Sequence, residues 1–226
     1  MTTTTKIWIH NNIDRPTSNV VSAFLKPVNA EENYRYSPWY TFNPAFGGFQ
    51  FTPLTNKYTV SVRELGQNSW TVPYEITPGA PVMCVKTDNQ GLRLINERKT
   101  DLLTGDEFGV YNGTSPATSL QVTWYVNGGL VAETNNDPKT ALNAGFVSSF
   151  LSKPAVYLMS HLPRTDEPKY SADTLSALTT EIAFNSDDTD VYIGGHTDAN
   201  GIDTFRKLSR AEWAAVTSTP ILPTKS

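Results

Sequence analysis

Apolar and polar positions alternate with a period of two through much of the first two thirds of the chain. Ile7 and Ile9 alternate with Trp8 and His10, and Tyr58, Val60 and Val62 share one phase. Trp70, Val72, Tyr74 and Ile76 share another. A period of two puts one face of a strand on a core and the other toward solvent. The segments 19–26, 81–87, 91–96 and 107–112 read as further strands. The segments 118–126 and 129–134 read as a hairpin, because Asn127-Gly128-Gly129 supplies residues that accept positive φ. Many short strands broken by Gly, Pro and Asn predict a mainly-β fold, a sandwich or an irregular barrel.

The pattern changes after about residue 135. Asp137-Pro138, followed by Leu142, Phe146 and Phe150 at four-residue spacing, predicts a helix over 138–151. Residues 155–159 read as a strand, and Leu175, Leu178 and Ile182 predict a helix over 173–184. Val191-Tyr192-Ile193 reads as a buried strand. Ser209-Arg210-Ala211-Glu212 is a capping box, with a short helix expected through Val216. The expectation is one domain over 1–226: a β-rich part (1–135), a mixed α/β part (136–218) with a few helices, and a loose tail (219–226).

Composition narrows the function. The 226 residues carry a net charge of −4, with basic residues scattered, which argues against a nucleic-acid footprint. No window approaches eighteen apolar residues, so no transmembrane segment is expected. The single Cys84 rules out an intramolecular disulfide and fits a reducing compartment. The N-terminus lacks the usual signal-peptide form, so the expected location is cytoplasmic, or outside the cell by release without a signal peptide. The sequon Asn112-Gly113-Thr114 matters only on a secretory route. Oligomeric state stays open, a homo-oligomer included.

The densest chemical feature is aromatic. Eight rings fall between Tyr34 and Phe51, in a chain with five Trp, ten Tyr and ten Phe. Pro38, Pro44, Gly47 and Gly48 bend this stretch, and rings presented from bends can wall a concave site. Tyr36, Trp39, Tyr40, Phe42 and Phe46 are the candidate walls for a small apolar or aromatic ligand, such as a chromophore. The competing reading is that the same rings fill the core, where large aromatics mostly reside.

A second feature is acidic. Asp187, Asp188, Asp190 and Asp198 are candidate oxygen ligands for Ca²⁺ or Mg²⁺, the alternative being solvated turns. The run from His196 resembles an EF-hand loop but places His196 at the first ligand position and Lys207 at the twelfth. With only His10, His161 and His196, no zinc spacing exists. Ser160-His161 and His196-Asp198 could be parts of a hydrolase, although no G-x-S-x-G elbow occurs. Gly47-Gly48 and Gly194-Gly195 form no nucleotide-binding loop.

Three resemblances bear on these readings. Val191-Tyr192-Ile193-Gly194-Gly195-His196-Thr197-Asp198, then Gly201, Phe205, Leu208-Ser209 and Arg210-Ala211, is similar to the central motif of outer-membrane-protein-A-type peptidoglycan-binding domains. That similarity implies a cell-wall stem peptide held by Asp198 and Arg210. Trp8-Ile9-His10-Asn11-Asn12 is similar to the first strand of aegerolysins, soluble β-proteins of mushroom fruit bodies. In general character, the chain also resembles the pigment-carrying proteins of fungal fruit bodies, which implies a non-catalytic carrier of an apolar conjugated chromophore. The combined expectation is a non-enzymatic binding or carrier protein for a small-molecule ligand. A glycan- or peptidoglycan-binding module is the alternative, and a hydrolase ranks third.

Overall fold

The computed structural model describes residues 4–13, 19–27, 34–55, 57–87, 91–96, 100–134, 136–164 and 168–218. Within them lie seventeen strands and two helices. In chain order the strands are β1 (Thr4–Asn12), β2 (Val20–Phe24), β3 (Tyr34–Tyr36), β4 (Tyr40–Phe42), β5 (Phe49–Thr55) and β6 (Tyr58–Glu64). Then come β7 (Tyr74–Ile76), β8 (Val82–Thr87), β9 (Gly91–Asn96), β10 (Glu107–Asn112), β11 (Leu120–Val126) and β12 (Gly129–Thr134). The last are β13 (Val147–Leu151), β14 (Ala155–His161), β15 (Thr180–Ala183), β16 (Asp190–Thr197) and β17 (Asp203–Leu208). Helix α1 is Ala172–Leu178 and α2 is Arg210–Ser218.

The strands form four sheets, ordered β17-β16-β1-β5, β13-β10-β8-β9, β3-β12-β11-β6-β7 and β15-β14-β2-β4. The fold is mainly β, with its helices in the C-terminal third, as the patterning predicts. The β-rich and mixed parts interleave. β1 is parallel to β16, and β2 is antiparallel to β14, so late strands complete sheets begun by early ones. Ile7, Ile9, Val60, Val62, Trp124, Phe150 and Ile193 belong to one buried apolar cluster that spans all these layers. Tyr58 stacks on Phe108 at 4.2 Å, and Trp124 meets Phe150 at 5.6 Å. The β11–β12 hairpin turns through Asn127 (φ 53°) and Gly128 (φ 80°), the two positive-φ positions of a tight turn whose twist suits the strands.

Two of the expected helices differ. No helix covers 138–151. Asp137 starts a turn instead, accepting the Lys139 N–H (2.9 Å) and the Thr140 N–H (3.0 Å). Leu142 bridges to Leu120, Gly145 adopts φ 86°, and β13 follows. A left-handed glycine breaks the helical run, and Val147 favours the pleat. Phe146 is exposed while Phe150 is buried, so their spacing of four is not a helical stripe. The helix expected over 173–184 stops at Leu178, where Thr179 caps it, and Ile182 pairs with Val156 in β15. Successive β-branched threonines at 179 and 180 favour that change. The C-terminal helix forms as its capping box predicts: Ser209 N–H donates to Glu212 (2.7 Å), and Glu212 N–H donates to Ser209 Oγ (3.2 Å). The strand expected across 70–76 shortens to β7, leaving Val72 in solvent. Residues 219–226, expected as a loose tail, lie outside the described residues. Among the described residues, no helix is long and apolar enough to cross a membrane.

Candidate functional site

The aromatic segment at 34–51 divides between core and surface. Tyr36 and Phe42 are fully buried, and Trp39 is 7% exposed. Trp39 donates its indole N–H to the Val126 carbonyl at 3.1 Å. The Trp39 carbonyl would lie 2.8 Å from any Cβ added at Gly129, so the hairpin strand fits against this tryptophan only with glycine there. Tyr40 is half-buried, edge-on to Phe42 (4.8 Å, 67°), and accepts the Gln50 amide at 3.1 Å. Phe46 projects from the turn before β5 and is exposed. Trp39 lies 6.1 Å from Tyr40, so Trp39, Tyr40 and Phe42 form a contiguous run, and their neighbours Pro38 and Thr41 line a cleft.

A different set of rings does converge, on the outer face of the β17-β16-β1-β5 sheet. In β1, Ile7 and Ile9 enter the core, and the pleat turns Trp8 and His10 to the other face. Register places Phe51 and Tyr192 on either side of Trp8, and Phe49 and Gly194 on either side of His10. Trp213 of α2 completes the group. Trp8 lies 4.4 Å from Phe51, 6.1 Å from Phe49, 6.3 Å from Tyr192 and 5.9 Å from Trp213. Tyr192 and Trp213 stack at 5.0 Å, and Phe49 meets Trp213 edge-on at 5.6 Å. Phe49 is 53% exposed and Phe51 45%, so the array presents bare ring surface along the β5 edge. Trp8 is fixed by its indole N–H, which donates to Asp190 Oδ1 at 2.8 Å.

His10 sits inside this array and is only 2% exposed. Burial pushes its pKa below the usual imidazole value, although a hydrogen bond to the Gly47 backbone works the other way. Burial therefore favours the neutral ring. Its Nε2 is buried with no hydrogen-bond partner among the described residues, and the Trp213 ring crosses the imidazole edge-on at 6.2 Å.

Helix α2 holds Trp213 in place without burying any of its own residues. Much of its attachment is polar. The Ser209 backbone N–H, and after it the Arg206 guanidinium at 2.7 Å, pull the Glu212 carboxyl down to about 2. A depressed folded pKa gives stability that is present above the unfolded value, near 4.5, and lost as pH falls through about 2. Acidification across that window is expected to loosen α2 and shift the Trp213 indole signal. A Trp213 resonance unmoved down to pH 2 would show that the carboxylate does not secure the helix.

The acidic residues do not converge. Asp188 accepts Asn185 N–H (3.0 Å) and Lys207 Nζ (3.0 Å), and these hold its pKa below the carboxylate norm. Asp190 accepts Trp8 and, through Oδ2, the Thr189 hydroxyl. Asp198 uses Oδ1 for the Asn200 and Ile202 N–H groups of its own turn (2.8 and 2.9 Å). Asp187 lies in the turn before β16. Among the described residues, no three His, Cys, Asp or Glu side chains are gathered to hold an ion. Segment 191–211 forms the β16–β17 hairpin and then the first residues of α2, with Arg210 exposed at the helix start. Gly195 faces inward there, where an added Cβ would meet the Phe205 ring at 2.9 Å.

One histidine acquires a partner that the sequence did not point to. His161 Nε2 lies 2.8 Å from Ser22 Oγ, and its Nδ1 lies 2.7 Å from the Leu162 carbonyl. The carbonyl needs a proton on Nδ1, so Nε2 accepts from Ser22. The pair borders a cleft of about 140 Å³, also lined by Thr41, Arg164 and Tyr170.

Comparison with protein-family models, curated proteins and solved structures finds no match to the chain.

Proposed function

We propose that this protein is a non-enzymatic carrier of a small, flat, apolar or aromatic molecule, bound on the aromatic face formed by Trp8, Phe49, Phe51 and Tyr192, against which Trp213 packs. The observation that carries the reading is the half-exposed pair Phe49 and Phe51, continuous with three further rings on one sheet face. Each well-placed ring contact adds roughly 0.5–1.5 kcal/mol beyond the area it covers. A planar ligand that covers both phenylalanines therefore needs no charge to stay bound. A conjugated chromophore is such a ligand, and the resemblance to fungal pigment carriers points the same way. A sugar fits less well: the exposed rings are phenylalanines without a polar handle, and the Trp8 N–H is already committed to Asp190. Equilibrium dialysis against 1-methoxynaphthalene tests the reading. Saturable binding is expected, weakened at least tenfold in a Phe49→Ala/Phe51→Ala double variant with little loss of stability. Equal binding by that variant would remove the site from this face.

A second reading rests on Ser22 and His161. A hydroxyl that donates to a histidine of fixed tautomer is the arrangement of an activated nucleophile, and the adjoining cleft suits a small ester. Covalent labelling of Ser22 by a fluorophosphonate, absent in His161→Gln, would favour it. An unlabelled Ser22 would leave the pair a structural hydrogen bond.

A further inference from the structure

We infer that the array takes a flat aromatic ligand bearing an N–H or O–H donor, which displaces the Trp213 indole and donates to His10 Nε2. The inference rests on the carrier reading above and specifies the chemistry of its ligand.

Three observations lead to it. First, His10 Nε2 is buried and has no hydrogen-bond partner among the described residues. The Gly47 backbone contact falls to the other ring nitrogen, because Nε2 has no partner among the described residues, and in the neutral ring that leaves Nε2 as the acceptor. A buried unsatisfied acceptor is costly, and a donor placed against it recovers that cost. Second, the nitrogen lies within the array: His10 is flanked in register by Phe49 and Gly194 and crossed by Trp213. A planar molecule seated on these rings brings its edge to His10. Third, the group covering His10 is removable. The Trp213 ring stacks on Tyr192 at 5.0 Å, which leaves no gap for a ligand between them, so a ligand must take the indole's place. Helix α2 buries none of its residues, so moving it exposes little core. The chain's own indole thus occupies the seat and satisfies the ring contacts. It leaves the hydrogen bond unmade.

The donor requirement separates ligand classes. Phenols, aromatic amines and N–H heterocycles satisfy Nε2. Pure hydrocarbons and aryl ethers of the same shape cover the phenylalanines but leave the acceptor bare.

The test is equilibrium dialysis of 1-naphthol and 1-methoxynaphthalene against the full chain and its His10→Phe, His10→Gln and Trp213→Ala variants. Near-ultraviolet circular dichroism confirms that each variant is folded. Wild type is expected to prefer 1-naphthol by about tenfold, the scale of one recovered buried acceptor. His10→Phe is expected to abolish the preference, while His10→Gln keeps part of it through its amide oxygen. Trp213→Ala is expected to bind 1-naphthol more tightly, because the indole no longer competes. Equal wild-type affinity for the two compounds would overturn the donor requirement and leave the array reading standing. A preference that survives in His10→Phe would also overturn it, as would weaker naphthol binding by Trp213→Ala. Failure of wild type to bind either compound would instead remove the array reading itself.

Discussion

Replacing Asn112 with alanine is expected to destabilise the fold by about 3–5 kcal/mol, with two or three buried partners each left unsatisfied at about 1–3 kcal/mol. Asn112 is fully buried at the end of β10. Its Nδ2 donates to the Thr118 carbonyl (2.7 Å) and the Leu142 carbonyl (2.8 Å). Its Oδ1 accepts the Thr114 N–H (3.1 Å) and hydroxyl (2.8 Å). One side chain thereby ties the 113–119 loop to the segment before β13. Asn112→Asp is expected to be at least as damaging, because it sets a carboxylate oxygen against two carbonyls. The measurement is the urea midpoint at constant m-value. A loss under about 1 kcal/mol would show that the loop is held by other contacts. The same geometry answers the sequon: glycosylation would use the amide nitrogen that already donates twice inside the protein.

Trp39→Ala is expected to cost about 3–5 kcal/mol, the range for removing a buried large aromatic. The ring is nearly enclosed, hydrogen-bonded to Val126 and fitted against Gly129. Phe51→Ala should cost far less, since nearly half of that ring is already in water. The contrast, read by thermal or urea unfolding, separates the rings that hold the fold from those free to hold a ligand. Similar losses for both variants would show that Phe51 is part of the core.

Local signals in the sequence were legible. Alternation at 7–9 and 58–62, the strand expected at 107–112, the Asn127-Gly128 turn and the Ser209–Glu212 capping box each depend on neighbouring residues, and each forms as expected. The spacing of Leu142, Phe146 and Phe150 misled because a turn followed by a strand can carry the same residues. Gly145 decides the matter through a left-handed conformation that spacing does not reveal. The array was harder to see. Its members come from β1, β5, β16 and α2, and only the parallel pairing of β1 with β16 brings Tyr192 beside Trp8. The density of rings at 34–51 was visible, but density does not tell face from face: Tyr36 and Phe42 turn inward, and Phe49 and Phe51 turn outward. The alternation of Ile7 and Ile9 with Trp8 and His10 was the available clue, because it already put a tryptophan and a histidine on the noncore side of a strand.

The carrier reading is tested most directly by the five tryptophan indole N–H resonances during titration with 1-naphthol. Trp8 and Trp213 lie in the array, Trp39 and Trp124 lie in the core, and Trp70 sits under the Arg63 guanidinium at 4.4 Å. The account predicts saturable shifts at Trp8 and Trp213, with Trp39, Trp70 and Trp124 unmoved. Shifts centred on Trp39, or a titration that leaves Trp8 and Trp213 in place, would contradict it.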